Sequence, residues 1–280
     1  MISRINRMIA AVLVPLLLGT QSPLFWLRQQ QFKQKDLIAL SQSEVIQEDV
    51  HITAHRGVNA EAPENTLPAY RKAVEYGYYS AECDIRLTSD GVWVLAHTSP
   101  LISKFSMLGT VERSTYAELC SYSYTHGTNY WEYPDLRIAT LDEFLDVFNG
   151  SDTRPQIEIK TKDYDSLHSV VDALRAHGME KTAIIISFDL RQLQVIRDYD
   201  SDIELWYLVY RIKQKDLDDA KALGNCWLSA DRSLNGEKTI SMTLSQNVPL
   251  SLWTVDTVRD AEKLYNMGVR YIETDRLRND

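Results

Sequence analysis

Cysteine is scarce in this chain, with three in 280 residues. Cys83, Cys120 and Cys226 are odd in number and widely spaced, which excludes a disulfide framework and leaves no zinc-ligand pattern. There is no G-x-G-x-x-G run, no P-loop and no H-E-x-x-H, so dinucleotide, P-loop nucleotide and zincin chemistry lack their motifs. Basic residues are outnumbered, 30 Lys and Arg against 39 Asp and Glu, and no basic stripe occurs. That balance excludes nucleic acid as a partner. Internal repeats and low-complexity blocks are absent as well. Nothing in the sequence fixes an oligomeric state.

The longest stretch without acidic residues is the first 35. None precedes Asp36, whereas Arg4, Arg7, Arg28, Lys33 and Lys35 do. Between Arg7 and Arg28 lie two apolar runs, 8–18 and 24–27, joined by residues 19–23, and taken as one segment residues 8–27 make up about the 20 residues that cross a bilayer, with Trp26 at an interface position. Residues 8–18 alone would suit a secretory signal, but no small-x-small cleavage site follows. Residues 1–28 are therefore expected to be an uncleaved membrane anchor rather than a signal segment. Residues 29–48 read as a polar linker, and residues 49–280 as the domain. The domain is expected outside the cytoplasm, anchored to the membrane, or secreted if the leader is cleaved.

What is present is an ordinary globular composition, 44% hydrophobic and 25% charged. From Val50 onward, short apolar runs alternate with helical patterns, the signature of βαβ units. Eight strands are predicted, at 52–55, 80–86, 156–160, 183–187, 203–209, 225–230, 249–253 and 270–273. Eight alternating units close into a (β/α)8 TIM barrel, an α/β fold. Helices are predicted over 164–177 and 257–267, each stopped by a glycine, Gly178 and Gly268.

Two irregularities interrupt the alternation. Asp90-Gly91 predicts a two-residue hairpin turn between residues 80–88 and 92–97. Counting back from that turn sets His97 opposite Asp84, on the same face. Residues 98–139 form an insertion after this hairpin, with Tyr122, Tyr124, Tyr130, Trp131 and Tyr133 as either a substrate wall or a small core of its own.

The chemistry centres on Ile52-Thr-Ala-His-Arg-Gly57 and Pro63-Glu-Asn-Thr66. This is a buried strand that ends in a turn before a helix, with Asn65 predicted to cap that helix. Strand ends of this kind carry the chemistry of α/β folds. Strand alternation puts Glu82, Asp84 and Arg86 on one face, and Glu158 and Lys160 on one face. Three converging carboxylates, Glu82, Asp84 and Glu158, cannot all stay ionised without compensation. A divalent cation supplies it, and all-oxygen ligation points to Mg²⁺ or Ca²⁺. The alternative is local pairing, Glu158 with Lys160 and Asp84 with Arg86.

Ala54-His-Arg-Gly57, Ala62-Pro-Glu-Asn-Thr66, Glu82-Cys-Asp84, Thr88-Ser-Asp-Gly91, His97, Glu158-Ile-Lys160, Trp253-Thr-Val255 and Thr274-Asp275 together resemble the glycerophosphodiester phosphodiesterase family. The likeness runs in order from about Val50 to Arg276. It implies metal-dependent hydrolysis of a small-molecule glycerophosphodiester to sn-glycerol 3-phosphate and an alcohol. A phosphodiester needs charge neutralised on its non-bridging oxygens, a base for the nucleophile and an acid for the departing oxygen. His55 and His97 fit the acid–base pair, Arg56 and Lys160 the phosphate clamp, and Glu82, Asp84 and Glu158 the metal. Trp253 is expected to line the pocket against the glycerol carbons. One departure stands out: the family usually has Asp after the histidine at 97, and here Thr98 follows. Two other functions fit the same residues, a phospholipase acting on lysolipid or sphingolipid and a non-catalytic phosphoglycerol-binding protein.

Overall fold

The computed structural model describes residues 36–46 and 50–279. Its strands in chain order are β1 (Ile38–Ala39), β2 (His51–Ala54), β3 (Ser80–Leu87), β4 (Trp93–Leu95), β5 (Arg154–Ile159), β6 (Ile184–Ser187), β7 (Glu204–Val209), β8 (Cys226–Asp231), β9 (Leu250–Trp253), β10 (Tyr271–Thr274) and β11 (Leu277–Arg278). Strands β2, β3, β5, β6, β7, β8, β9 and β10 pair in parallel, and β10 returns to β2, so the sheet closes. This is the TIM barrel, with all eight predicted strands in place.

Period-two alternation sorts the side chains between two layers. Cys83, Ile85, Ile157, Ile159, Ile185 and Leu205 are buried in the main core together with helix residues such as Leu174, Leu193 and Leu264. Their neighbours point into the lumen, which is divided. One sector is apolar, a separate cluster of Ile184, Ile186, Trp206 and Leu208. The opposite sector is polar and hydrogen-bonded: Thr53 Oγ1 to Ser80 Oγ at 2.7 Å, Ser80 to Gln156 at 3.1 Å, and Gln156 to Glu273 at 3.3 Å. The charged site stands above this polar sector.

The helix over Val258–Asn266 shows how the outer layer is specified. Thr257 accepts from the Asp260 N–H at its start, Ala261 and Leu264 are buried, and Gly268 follows its end at φ +92°.

The hairpin differs from its prediction. Leu87 pairs with Trp93 and Arg86 with Val94, and the Thr88 N–H donates to the Val92 carbonyl. The loop is thus three residues, Ser89 to Gly91, with Gly91 at φ +82° in the left-handed position that such loops require. The register shifts by one, and the Ala96 N–H, not that of His97, bonds to the Asp84 carbonyl.

The insertion over 98–139 has its own core of Leu101, Phe105, Val111, Leu119, Tyr124 and Ile138 against Val94 and Ala96. Tyr122 and Tyr124 pack on Phe105, with ring centroids at 6.0 and 4.9 Å, so these two rings belong to that core. The insertion is anchored beside the site. Lys104 Nζ donates to the Glu64 carbonyl at 3.2 Å, and a Cβ on Gly127 would meet Pro63 at 2.8 Å.

The leader expected over 1–28 lies outside the described residues. Among the described residues no helix is long and apolar enough to cross a membrane. Part of the expected linker, 29–48, is described and packs on the barrel. β1 pairs in parallel with β11, Leu40 is buried, and Ser43 bonds Glu262 at 2.7 Å.

Candidate active site

The chain leaves β2 through a turn that only certain residues can make. Arg56 adopts φ +60°, a conformation costing roughly 1 kcal/mol for a residue with a Cβ. Two bonds hold it there: its N–H donates to Glu82 Oε2 at 2.9 Å, and its carbonyl accepts from the Asn65 N–H at 3.1 Å. Gly57 follows at φ +77°, where a Cβ would lie 2.8 Å from the Ala69 Cβ, so the position admits glycine alone. The turn thereby sets His55 and Arg56 over the ends of β3 and β5.

Glu82, Asp84 and Glu158 each offer an oxygen within 4.8 Å of the others, and all three are buried. Glu82 Oε1 is buried without a hydrogen-bond partner, an acceptor the fold leaves open. Burial and the Asp84, Glu273 and Glu158 charges raise the Glu82 carboxyl well above its ordinary range. Burial also raises Glu158, to about 7, with Asp84 adding and Lys160 opposing. Asp84 goes the other way. Burial works against its ionisation, but Lys160, Arg56, His97 and the Asn65 bond outweigh it and lower it. Lys160 Nζ lies 3.2 Å from Asp84 Oδ1 and also bonds Glu158. Arg56 bonds Glu64 at 3.0 Å and lies 3.5 Å from Asp84 Oδ2.

The two histidines have different surroundings. His55 Nδ1 is 2.8 Å from Asp275 Oδ1, and Nε2 is 3.7 Å from Glu273 Oε1. Burial lowers the His55 pKa, but Asp275 and Glu273 more than compensate, so it is raised. His97 is lowered to about 4 by burial, with Asp84 opposing and Arg56 and Lys160 adding. Its carbonyl accepts from Arg86 Nη2 at 2.8 Å, and Arg86 also bonds Glu112 at 2.7 Å. Of the local pairings, then, Glu158–Lys160 forms, while Arg86 is occupied by Glu112 and the loop carrying His97.

The arrangement is a cluster of two cationic side chains, three buried carboxylates that could hold a metal ion, and two imidazoles at the carboxyl ends of barrel strands. The model of the glycerophosphoryl diester phosphodiesterase family matches residues 55–279. The chain belongs to that family. Membership places it among the phosphoric diester hydrolases. An uncharacterised protein of Mycoplasma genitalium is 30% identical over 220 residues, covering 74% of this chain and 86% of its own. A glycerophosphodiester phosphodiesterase of Caldanaerobacter subterraneus subsp. tengcongensis is 26% identical over 239 residues, covering 80% and 93%. Among solved structures, an Oleispira antarctica phosphodiesterase in complex with sn-glycerol-3-phosphate superposes with a TM-score of 0.75 at 24% identity, covering 80% of this chain and 92% of that one.

In this family member the fold brings His55, Arg56, Glu82, Asp84, Glu158 and Lys160 together, with His97 within electrostatic reach of Asp84, Arg56 and Lys160. Trp253 ends β9 at the edge of the apolar sector, beside Phe188 and Tyr210. Thr98 bonds Ser103 at 2.7 Å.

Four side chains of the site escaped sequence reasoning as partners. Asn65 is not a helix cap. At φ +56° it is buried, its Nδ2 donates to Asp84 Oδ2 at 2.8 Å, and its Oδ1 accepts from the Asp84 N–H and the Tyr70 hydroxyl. The cap position falls to Thr66, before the helix over Leu67–Glu75. Asp275 and Glu273 flank His55, and Asn59 donates to both Asp275 and the His55 carbonyl. The motif Thr274-Asp275 marked the segment without its role. Glu273 also forms, with His55 and Glu82, a second group of ligand atoms within 4.8 Å.

Proposed function

We propose that the chain hydrolyses glycerophosphodiesters to sn-glycerol 3-phosphate and an alcohol, with His55 and His97 as the acid–base pair. The observation that carries this reading is the buried carboxylate trio beside two cations, with Glu82 Oε1 open and unbonded. Such a donor set fits one divalent cation. All-oxygen ligation by Glu82, Asp84 and Glu158 favours Mg²⁺ or Ca²⁺. When bound, that ion supplies charge neutralisation at the phosphoryl oxygens.

The protein's own groups do the rest. Arg56 and Lys160, each shared with carboxylates, bind the two non-bridging oxygens and orient the phosphorus. One imidazole takes the proton of the attacking hydroxyl and the other gives one to the departing oxygen. Trp253 closes the pocket on its apolar side. The apolar leader supports anchoring in a membrane with the domain at its outer face; retention in the pellet after an alkaline wash of isolated membranes tests the anchor, and digestion by protease added to intact cells tests the face.

The deciding experiment strips the full chain of metal and offers glycerophosphocholine with and without Mg²⁺ or Ca²⁺, beside His55→Ala and Glu82→Ala. Metal-dependent release of glycerol 3-phosphate, lost in both variants, is the expected result. Release that ignores added metal, or survives either substitution, rejects the reading.

A further inference from the structure

Three large side chains at the mouth of the barrel face solvent where the apolar sector of the lumen ends. Phe188 is 37% exposed and Tyr210 60%, one residue beyond β6 and β7 respectively, and Leu234 is 36% exposed, in the loop after β8. The Phe188 and Tyr210 rings stack at 4.9 Å and 25°. Trp253 stands across both, at 6.0 Å and 82° from Phe188 and 5.8 Å and 73° from Tyr210. Asn235 fixes the neighbouring loop to this wall, donating to the Tyr210 carbonyl at 2.7 Å and accepting from the Ile212 N–H at 2.9 Å.

Exposed rings contribute no burial energy to the fold, and apolar side chains that cluster in the open at a site mouth are the kind of patch that serves ligand contact. Its place says with what. Lys160 Nζ lies 5.9 Å from the centre of the Phe188 ring, so a group attached to a phosphorus held by Lys160 reaches the wall within a few bonds. We propose that Phe188, Tyr210, Leu234 and Trp253 form a subsite for a hydrocarbon chain carried by the phosphodiester substrate. This rests on the phosphodiesterase reading above and names the substrate class as amphiphilic.

A quaternary ammonium group is the competing occupant for aromatic rings. Two features oppose it. Phe188 already faces the Lys160 ammonium, and the Phe188–Tyr210 stack leaves no slot between its ring faces. A hydrocarbon chain lying along the corner between that stack and Trp253 meets neither obstacle.

The test measures binding of ethyl, butyl and octyl phosphate to the Mg²⁺-loaded full chain by calorimetry, below micelle formation, in wild type and in Tyr210→Ser/Leu234→Ser. Wild type and variant carry the same leader, so any chain binding there cancels. Affinity is expected to rise about twofold per methylene, half the effect of complete burial, and the rise is expected to flatten in the double variant. No rise with chain length, an equal rise in the variant, or tighter binding of phosphocholine than of octyl phosphate overturns the proposal. These outcomes do not depend on turnover. Chain-dependent binding without hydrolysis of any glycerophosphodiester would therefore reject the proposed reaction and keep the subsite.

Two pairs of esters locate the chain. Glycerophosphooctanol against glycerophosphoethanol places it on the alcohol, and octanoyl-lysophosphatidylcholine against glycerophosphocholine places it on the glycerol. Collapse of one kcat/KM ratio in the double variant names the side, and collapse of neither counts against the proposal.

Discussion

His55 Nδ1 meets Asp275 Oδ1 at 2.8 Å across 220 residues of sequence, joining the end of the first barrel strand to the end of the last. A carboxylate at that nitrogen fixes the imidazole tautomer and turns Nε2 toward the reacting groups. Asp275 is itself held, by Asn59 and by its own N–H donating to Asp256 at 2.8 Å. Asp275→Asn keeps the shape and removes the charge. We expect kcat to fall by about 100-fold or more, with KM changed only a few-fold. The His55 limb of the pH–rate profile should move to lower pH, because a group that raises its pKa is gone. A profile that stays in place while kcat falls would reduce Asp275 to a structural residue.

Asn65 does for Asp84 what Asp275 does for His55. One buried amide satisfies the Asp84 carboxylate, the Asp84 N–H and the Tyr70 hydroxyl. Asn65→Ala leaves the N–H and the hydroxyl unpaired in the interior and keeps the left-handed backbone at φ +56°. A loss of about 2–4 kcal/mol in urea unfolding is expected. Asn65→Gly relieves the backbone but not the missing bonds, so it should recover only part of that loss. Full recovery by glycine would mean the amide contacts contribute little.

Legibility in the sequence followed the range of the interactions. The eight strands were readable because each is a short apolar run between turn residues, and the shared faces of Glu82 with Asp84 and of Glu158 with Lys160 follow from period two alone. The hairpin register was not readable, because Asp90-Gly91 serves a two-residue loop and a three-residue loop equally well. Only the pairing of Leu87 with Trp93 decides between them. Asn65 has the local signature of a helix start, and what overrides it is a contact with Asp84 on another strand. Asp275 and Glu273 reach His55 solely because the barrel closes. The wall of Phe188 and Tyr210 was invisible because its two rings look like core residues until their exposure is known.

The carboxylate trio predicts an unusual response of the metal-free protein to pH. Glu158 is raised from an ordinary 4.5 to about 7. Between those values the native state keeps a proton that the unfolded chain has already released, so stability falls as pH rises and levels off above about 7. Comparing wild type with Glu158→Gln isolates this group from its neighbours. Wild type is expected to lose about 3 kcal/mol relative to the variant across that window. Added Mg²⁺ should abolish the difference in slope, since a bound cation favours the ionised carboxylate. Parallel stability curves for the two metal-free proteins would show that Glu158 ionises normally.

The cysteines, uninformative by spacing, become a probe of the closed barrel. Cys83 is buried between β3 and the helix layer, and burial beside the Glu82 and Asp84 charges drives its thiol well above the usual range. Cys226 begins β8, is buried, and is pushed up to about 12 by burial. Cys120, at the end of the short insertion helix over Tyr116–Cys120, is part-exposed. The thiolate is the reactive form, so a disulfide reagent at pH 8 should label one thiol rapidly in the native chain and all three in denaturant. Cys83 sits between Glu82 and Asp84 on the opposite face of β3, so its labelling reports opening of the strand that carries the site. Rapid native labelling of Cys83 would mean that β3 opens in solution, and Cys120 should react at the same rate whether or not metal is bound.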